Sequence, residues 1–196
     1  MANWAYTNYV IEGPHETLEK IEKAIVHHPV EEGSSDDWEG NVLRALDIDW
    51  EPNTPDGKGY YMRGFIQEEP WWDGDTLRFY AQEAWGATDF HKVLEKNLPD
   101  IKVFYSVEEE EGGDVYATND KEGKYFPERY YVDTCIDGNY QSEYFTTEED
   151  IYKWLKEITK GRVTDKKSVD DFDSDYEDSE AYDENYINIH EFAIVD

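Results

Sequence analysis

Apolar residues alternate with polar ones through Leu77, Phe79 and Ala81, and again through Ile101, Val103, Tyr105 and Val107. Between these runs Phe90, Val93, Leu94 and Leu98 recur at helical spacing. A period of two marks a strand with one buried face, and a period near 3.6 marks a helix with one apolar stripe. Residues 76–131 therefore read as strand, helix, strand and a further hairpin. A one-faced sheet needs a cover, and the helix between its strands supplies one.

The same reading extends in both directions. Residues 3–12 form an aromatic and β-branched strand, with Trp4, Tyr6 and Val10 on one parity and Tyr9 and Ile11 on the other. Pro14 suits the first turn of a helix whose stripe is Leu18, Ile21, Ala24 and Ile25. A short helix runs through Val42, Leu43 and Leu46, and a turn at residues 53–57 leads to a strand at 59–67. Thr88 is the expected N-cap of the next helix, and residues 101–110 the strand after it. Residues 114–118 are expected to pair with 125–135, and Asp137-Gly138 to turn a hairpin into 140–145. Thr147 caps a third helix through Ile151, Trp154, Leu155 and Ile158, which Gly161 ends. The order strand–helix–strand–strand–helix–strand predicts an α+β, ferredoxin-like antiparallel sheet with two helices on one face, extended by extra hairpins and a third helix.

Charge changes this picture at the end of the chain. Of 196 residues 48 are Asp or Glu and 18 are Lys or Arg, a formal net charge of −30, while 16% are aromatic. The aromatic content argues for a packed core. The charge argues against direct binding of nucleic-acid phosphates and of anionic membranes, and for a basic protein partner. Asp170, Asp171, Asp173, Asp175, Glu177, Asp178 and Glu180 fall in a run without a basic residue. Such a block is expected to stay extended, before a terminal strand at 186–194 docks back. The expected organisation is a domain at 1–162 and an acidic tail at 163–196. No long apolar run and no signal-peptide pattern is present, so an intracellular, cytoplasmic protein is expected.

Two pieces of the chain carry a family likeness. The opening Met1-Ala2-Asn3-Trp4 with Tyr6 and Asn8 is one. The other runs from Arg78 through Trp85-Gly86, the helix, and Val103 to Tyr131. Together they resemble the YubB-type family of plasmid, phage and mobile-element proteins, although Ala5 stands where that family more often has Cys. The resemblance implies a ferredoxin-like fold and a mobile-element setting, and no catalytic residues.

Candidate chemistry is sparse. Asp171, Asp173 and Asp175 have the first spacings of a calcium loop, but Tyr176 and Tyr182 stand where it needs Gly and Glu. Carboxylate pairs such as Asp47 with Asp49 and Asp73 with Asp75 are expected by chance among so many acids. The histidines lack zinc spacing, and the single cysteine, Cys135, has no basic neighbour to activate it. No catalytic residue, cofactor site or metal site is assigned. Trp71-Trp72 in an acidic turn reads either as an exposed anchor for a basic partner or as a satellite cluster on the sheet edge. The expectation is a non-enzymatic acidic binding protein, a nucleic-acid mimic that inhibits a host nucleic-acid-binding or defence protein. Its partner-binding residues would be the seven acids above with Trp71 and Trp72. The alternative is a small-molecule or nucleotide module with an aromatic pocket holding Arg63, Arg78 or Arg129.

Overall fold

Strand β1 (Trp4–Glu12) is the hub of the first part of the molecule. Its odd-numbered residues Ala5, Tyr9 and Ile11 are buried, so the parity that faces the core is the one carrying Tyr9. The computed structural model describes residues 3–27, 38–109, 115–176 and 185–196, and of Asp173 the backbone only. These fall into two compact units, Met1–Lys121 with Ile194–Asp196, and Glu122–Ala193.

The first unit follows the chain as α1 (His15–Val26), α2 (Glu39–Ala45), β2 (Gly64–Ile66), β3 (Trp71–Asp73), β4 (Thr76–Ala84), α3 (Phe90–Asn97), β5 (Lys102–Glu109) and β6 (Val115–Thr118). The end of the chain, β10 (Ala193–Ile194), adds the last strand. The sheet order is β10-β6-β5-β1-β4-β2, with β3 also on β4. β1 pairs antiparallel with β4 and with β5, and Tyr9 lies opposite Phe79 on one side and Tyr105 on the other. The stripes of α1 and α3 share one core with this face, through Leu18, Ile21, Phe90, Val93 and Leu94. Each such side chain contributes about 1.5–3 kcal/mol when fully buried. Tyr9 stacks on Phe79 at 4.8 Å, and Phe90 meets Phe79 edge-on at 6.1 Å. The unit is thus an α+β fold with a multistranded antiparallel sheet.

The second unit holds β7 (Tyr130–Ile136), β8 (Asn139–Phe145), α4 (Glu148–Ile158), α5 (Lys166–Tyr176) and β9 (Tyr186–Glu191). Its sheet order is β8-β7-β9, all antiparallel. Asp137 and Gly138 both take positive φ, 51° and 76°, the two-residue hairpin that Asp-Gly favours. Val132, Ile136, Ile151, Leu155, Val163, Val169, Phe172 and Ile187 form the core.

Three expectations are corrected. Of the strand expected at 114–118, residues 115–118 are described and do not pair with 125–135; β6 pairs with β5 instead. The Asn119 amide fixes this choice, accepting from Tyr105 N–H at 2.7 Å and donating to the Val103 carbonyl at 2.8 Å. Second, the acidic segment is not extended where it is described, because residues 166–176 are helical. Third, the strand expected over 59–67 shrinks to Gly64–Ile66, since residues 52 and 60 bridge each other and Gly59 takes a φ of 83°. The expected boundary at 162/163 falls inside the second unit, where Val163 is buried and donates its N–H to Thr159 Oγ1 at 3.0 Å. Among the described residues no helix is long and apolar enough to cross a membrane.

Asn119→Ala removes both amide bonds that clamp β6 to β5. It should cost about 1–3 kcal/mol, read as a lower urea midpoint, with amide exchange in β5 and β6 accelerated before that in β1.

Candidate functional site

The acidic helix α5 is capped at its N-terminus and seated by its apolar stripe. Asp165 and Ser168 form a reciprocal capping box: Ser168 N–H donates to Asp165 Oδ1 at 2.9 Å, and Asp165 N–H donates to Ser168 Oγ at 2.9 Å. These bonds hold the Asp165 carboxyl below its ordinary pKa. Val169 and Phe172 point into the core, with Tyr176 packed against it and the Arg162 guanidinium 5.0 Å from the Phe172 ring. Asp170, Asp171 and Asp175 are consequently exposed on the outer side.

In its end turns the charges of α5 oppose the helix dipole, with Asp175 in the last turn. Lys166 and Lys167 occupy the first turn and no basic residue the last, whereas charges stabilise a helix the other way round, by about 0.3–1 kcal/mol each. Lys167 and Asp171 approach only to 3.8 Å, an exposed pair worth little. The acids are not there to hold the helix.

They join a second acidic group. Thr147 caps α4, whose first turn carries the exposed Glu148, Glu149 and Asp150. Tyr152 donates to Glu148 Oε1 at 2.9 Å. Burial, Glu148, and the charges of Asp165 and Asp170 together push the Tyr152 hydroxyl up to about 12. Tyr152 thus lies within the field of Glu148 at the start of α4 and of Asp165 and Asp170 at the start of α5.

The remaining expected residues distribute differently. Glu177, Asp178 and Glu180 lie outside the described residues. Trp71 and Trp72 belong to the first unit, on β3, and are half-buried. Trp71 packs on Tyr80 at 4.8 Å, while Trp72 donates from Nε1 to Glu22 Oε1 at 2.9 Å and lies against His15. They form the edge cluster and are not gathered with the α5 acids into one unit. Asp171, Asp173 and Asp175 lie in a helix, whose backbone does not wrap ligands around a cation as a calcium loop does. Among the described residues no group of three or more His, Cys, Asp and Glu is placed to hold a metal ion.

A buried polar cluster in the first unit went unread in the sequence. Glu39 and Glu83 are both inaccessible to solvent. Tyr9 Oη donates to Glu83 at 2.9 and 3.1 Å, Thr88 N–H donates to Glu83 Oε1 at 2.8 Å, and Thr88 Oγ1 donates to Glu39 Oε2 at 2.9 Å. Burial first, then the Glu83 charge, raise the Glu39 carboxyl well above its ordinary range. Glu39 Oε1 has no hydrogen-bond donor beside it, which suits a carboxyl held in its neutral, protonated form. Burial and the same two carboxylates raise the Tyr9 hydroxyl well above its usual value. The cluster ties α2, β1, β4 and the start of α3 together. It has no access to solvent, so it is structural.

An open groove of about 670 Å³ lies over α3, lined by Asp49, Trp50, Glu51, Tyr60, Lys96 and Asn97 among others. Lys96 Nζ donates to Tyr60 Oη at 3.1 Å. None of the arginines expected in an aromatic pocket lines it. Arg63 lies over the Trp4 and Trp85 rings, Arg78 pairs with Asp73 at 2.9 Å, and Arg129 donates to the Phe126 carbonyl at 2.8 Å.

Comparison with known proteins finds no match to a family model, to a curated protein or to a solved structure.

The buried groups predict opposite pH dependences. The raised Glu39 stabilises the fold most below its unfolded pKa, and that contribution is lost as pH rises through the folded one. His91, lowered to about 4 mainly by burial, contributes above its unfolded value near 6.5 and loses this as pH falls toward 4. Glu39→Gln should flatten the alkaline side of a urea-midpoint profile and leave the acid side. A model Cβ on Gly64 collides with the Glu39 carboxyl, so Gly64→Ala should cost about 1–3 kcal/mol in the same assay.

Proposed function

We propose that the protein is a non-enzymatic acidic binding protein whose second unit docks a basic protein surface. The observation that carries this reading is α5, where Asp170, Asp171 and Asp175 are exposed on a helix with Lys166 and Lys167 in its first turn and Asp175 in its last, a charge order that opposes the dipole. A helix that carries its end charges against its dipole and yet is capped and seated on a core is best explained by an external partner. The exposed Glu148, Glu149 and Asp150 of α4 belong to the same unit and add to its acidic surface, and pre-ordered carboxylates lose little entropy on binding.

Finer readings follow the same line. The strand order β5-β1-β4-β2, with α1 and α3 each following a strand of it, supports a ferredoxin-like first unit. With it goes a YubB-type, phage or mobile-element, intracellular protein acting on a host nucleic-acid-binding or defence protein. Asp171 and Asp175 stand about 6 Å apart along the helix axis, whereas duplex DNA carries a charge per roughly 1.7 Å. Mimicry of nucleic acid therefore needs the α4 carboxylates as well as those of α5. The groove lined by Trp50, Tyr60 and Lys96 favours a second reading, a small-molecule module, whose ligand would raise the melting temperature.

The test is capture from host lysate with the wild type and with a D170K/D171K/D175K variant, followed by affinity measurement on the purified partner. Reversal should weaken binding by more than about tenfold while leaving the urea midpoint equal or higher, because the new charges suit the helix dipole better. Unchanged affinity in a folded variant would refute the reading.

A further inference from the structure

β8 is the outer strand of its sheet, and no strand among the described residues pairs with its second side. Natural proteins blunt such edges with Lys, Pro, bulges or brevity. β8 has none of these. Its sequence Asn-Tyr-Gln-Ser-Glu-Tyr-Phe contains one charge, and its register with β7 runs unbroken over seven pairs from Ile136↔Asn139 to Tyr130↔Phe145. In a chain with 34% charged residues this is a local exception. Six consecutive residues, 139–144, are exposed, Tyr140 by 70%.

We propose that β8 accepts an extended basic segment of a partner protein as a fourth strand, a mode that rests on the acidic docking read above and specifies it. In a two-residue hairpin the closing pair Ile136 and Asn139 is hydrogen-bonded, and bonding then alternates along the ladder. Ser142, three residues on, therefore directs its N–H and C=O away from β7. The next N–H, that of Tyr144, donates to the Glu143 side chain at 3.0 Å, so the strand's own carboxylate occupies an edge donor. An incoming carbonyl displaces that carboxylate and frees it for a cation.

The side chains define the occupant. Tyr140 and Tyr144 flank Ser142 on one face, and Tyr131 lies 4.9 Å from Tyr144. Gln141 and Glu143 are on the other face, and Glu148, Glu149 and Asp150 follow the strand. A segment with Lys or Arg at alternate positions places cations over the tyrosine rings or beside Glu143, with main-chain bonds supplying register. A second copy of the chain is disfavoured as occupant, since each carries a net charge of −30.

Ser142→Pro tests this directly. It deletes an N–H that the β7–β8 ladder does not use, and proline is tolerated on edge strands. The full chain is panned against a displayed library of random dodecapeptides, and selected peptides are remade with alternate amides N-methylated. Enrichment of peptides alternating Lys or Arg with β-branched residues is expected. S142P and one phase of N-methylation should each weaken binding by more than about tenfold, while Ser142→Ala leaves it unchanged. The methylated peptides keep the test valid if S142P does not fold. No enrichment, or binding indifferent to both backbone changes, would overturn the proposal. So would a dimer of the wild type that S142P dissociates. A purified partner lost by D170K/D171K/D175K and retained by S142P would overturn the edge-strand mode alone and leave acidic docking standing.

Discussion

Self-repulsion is the constraint under which every part of this molecule is built. A net charge of −30 on 196 residues works against any compact state, so apolar burial and backbone hydrogen bonding must hold the fold without electrostatic help. The ion pairs are consistent with this. Lys20 with Glu16 and Lys23 with Glu19 are exposed helix-surface pairs, which solvent and salt screen. Stability rests instead on the packed rings of Tyr9, Phe79 and Phe90 in the first unit and on the Val132–Ile151–Phe172 core in the second. Where acids do enter the core, at Glu39 and Glu83, burial raises the proton affinity of Glu39, and both carboxyls accept hydrogen bonds.

The same constraint gives the exposed acids their meaning. α5 is seated by Val169 and Phe172 and closed by a capping box, which together outweigh a charge pattern that disfavours the helix. α4 is capped in the favourable sense, with its acids at the N-terminus. One group of carboxylates thus contributes to its helix and the other is carried by it, yet both act on Tyr152. A surface assembled in this way has fixed geometry before any partner arrives, and the low-charge β8 edge follows directly from the loop that precedes α4 back along the chain.

Much of this was legible in the sequence, and the failures are specific. The hydrophobic periods located α1, α3, α4, β1, β4 and β5, because each carries one apolar stripe or parity into the core, although β5 and the end of β1 are buried on both faces. They could not choose between partners for β6, a choice made by the Asn119 amide, which leaves no periodic trace. Charge composition suggested an extended tail, but Val169, Phe172 and Tyr176 sit at helical spacing within it, and burial of that stripe outweighed the repulsion. The buried acids were also marked. Glu83 continues the core parity Leu77, Phe79, Ala81, and Glu39 precedes Val42 and Leu43 on the apolar stripe of α2. A charge on the buried parity of a strand is the signal to look for.

The salt dependence of unfolding measures the central claim most directly, that charge here opposes the fold and is retained for binding. Screening at 0.5 M salt shortens the Debye length to a few ångströms and removes most interaction between surface charges. The account predicts that the urea midpoint rises steadily from low salt to about 0.5 M sodium chloride. A midpoint that falls over that range would show that the surface charges are net stabilising, and would contradict it.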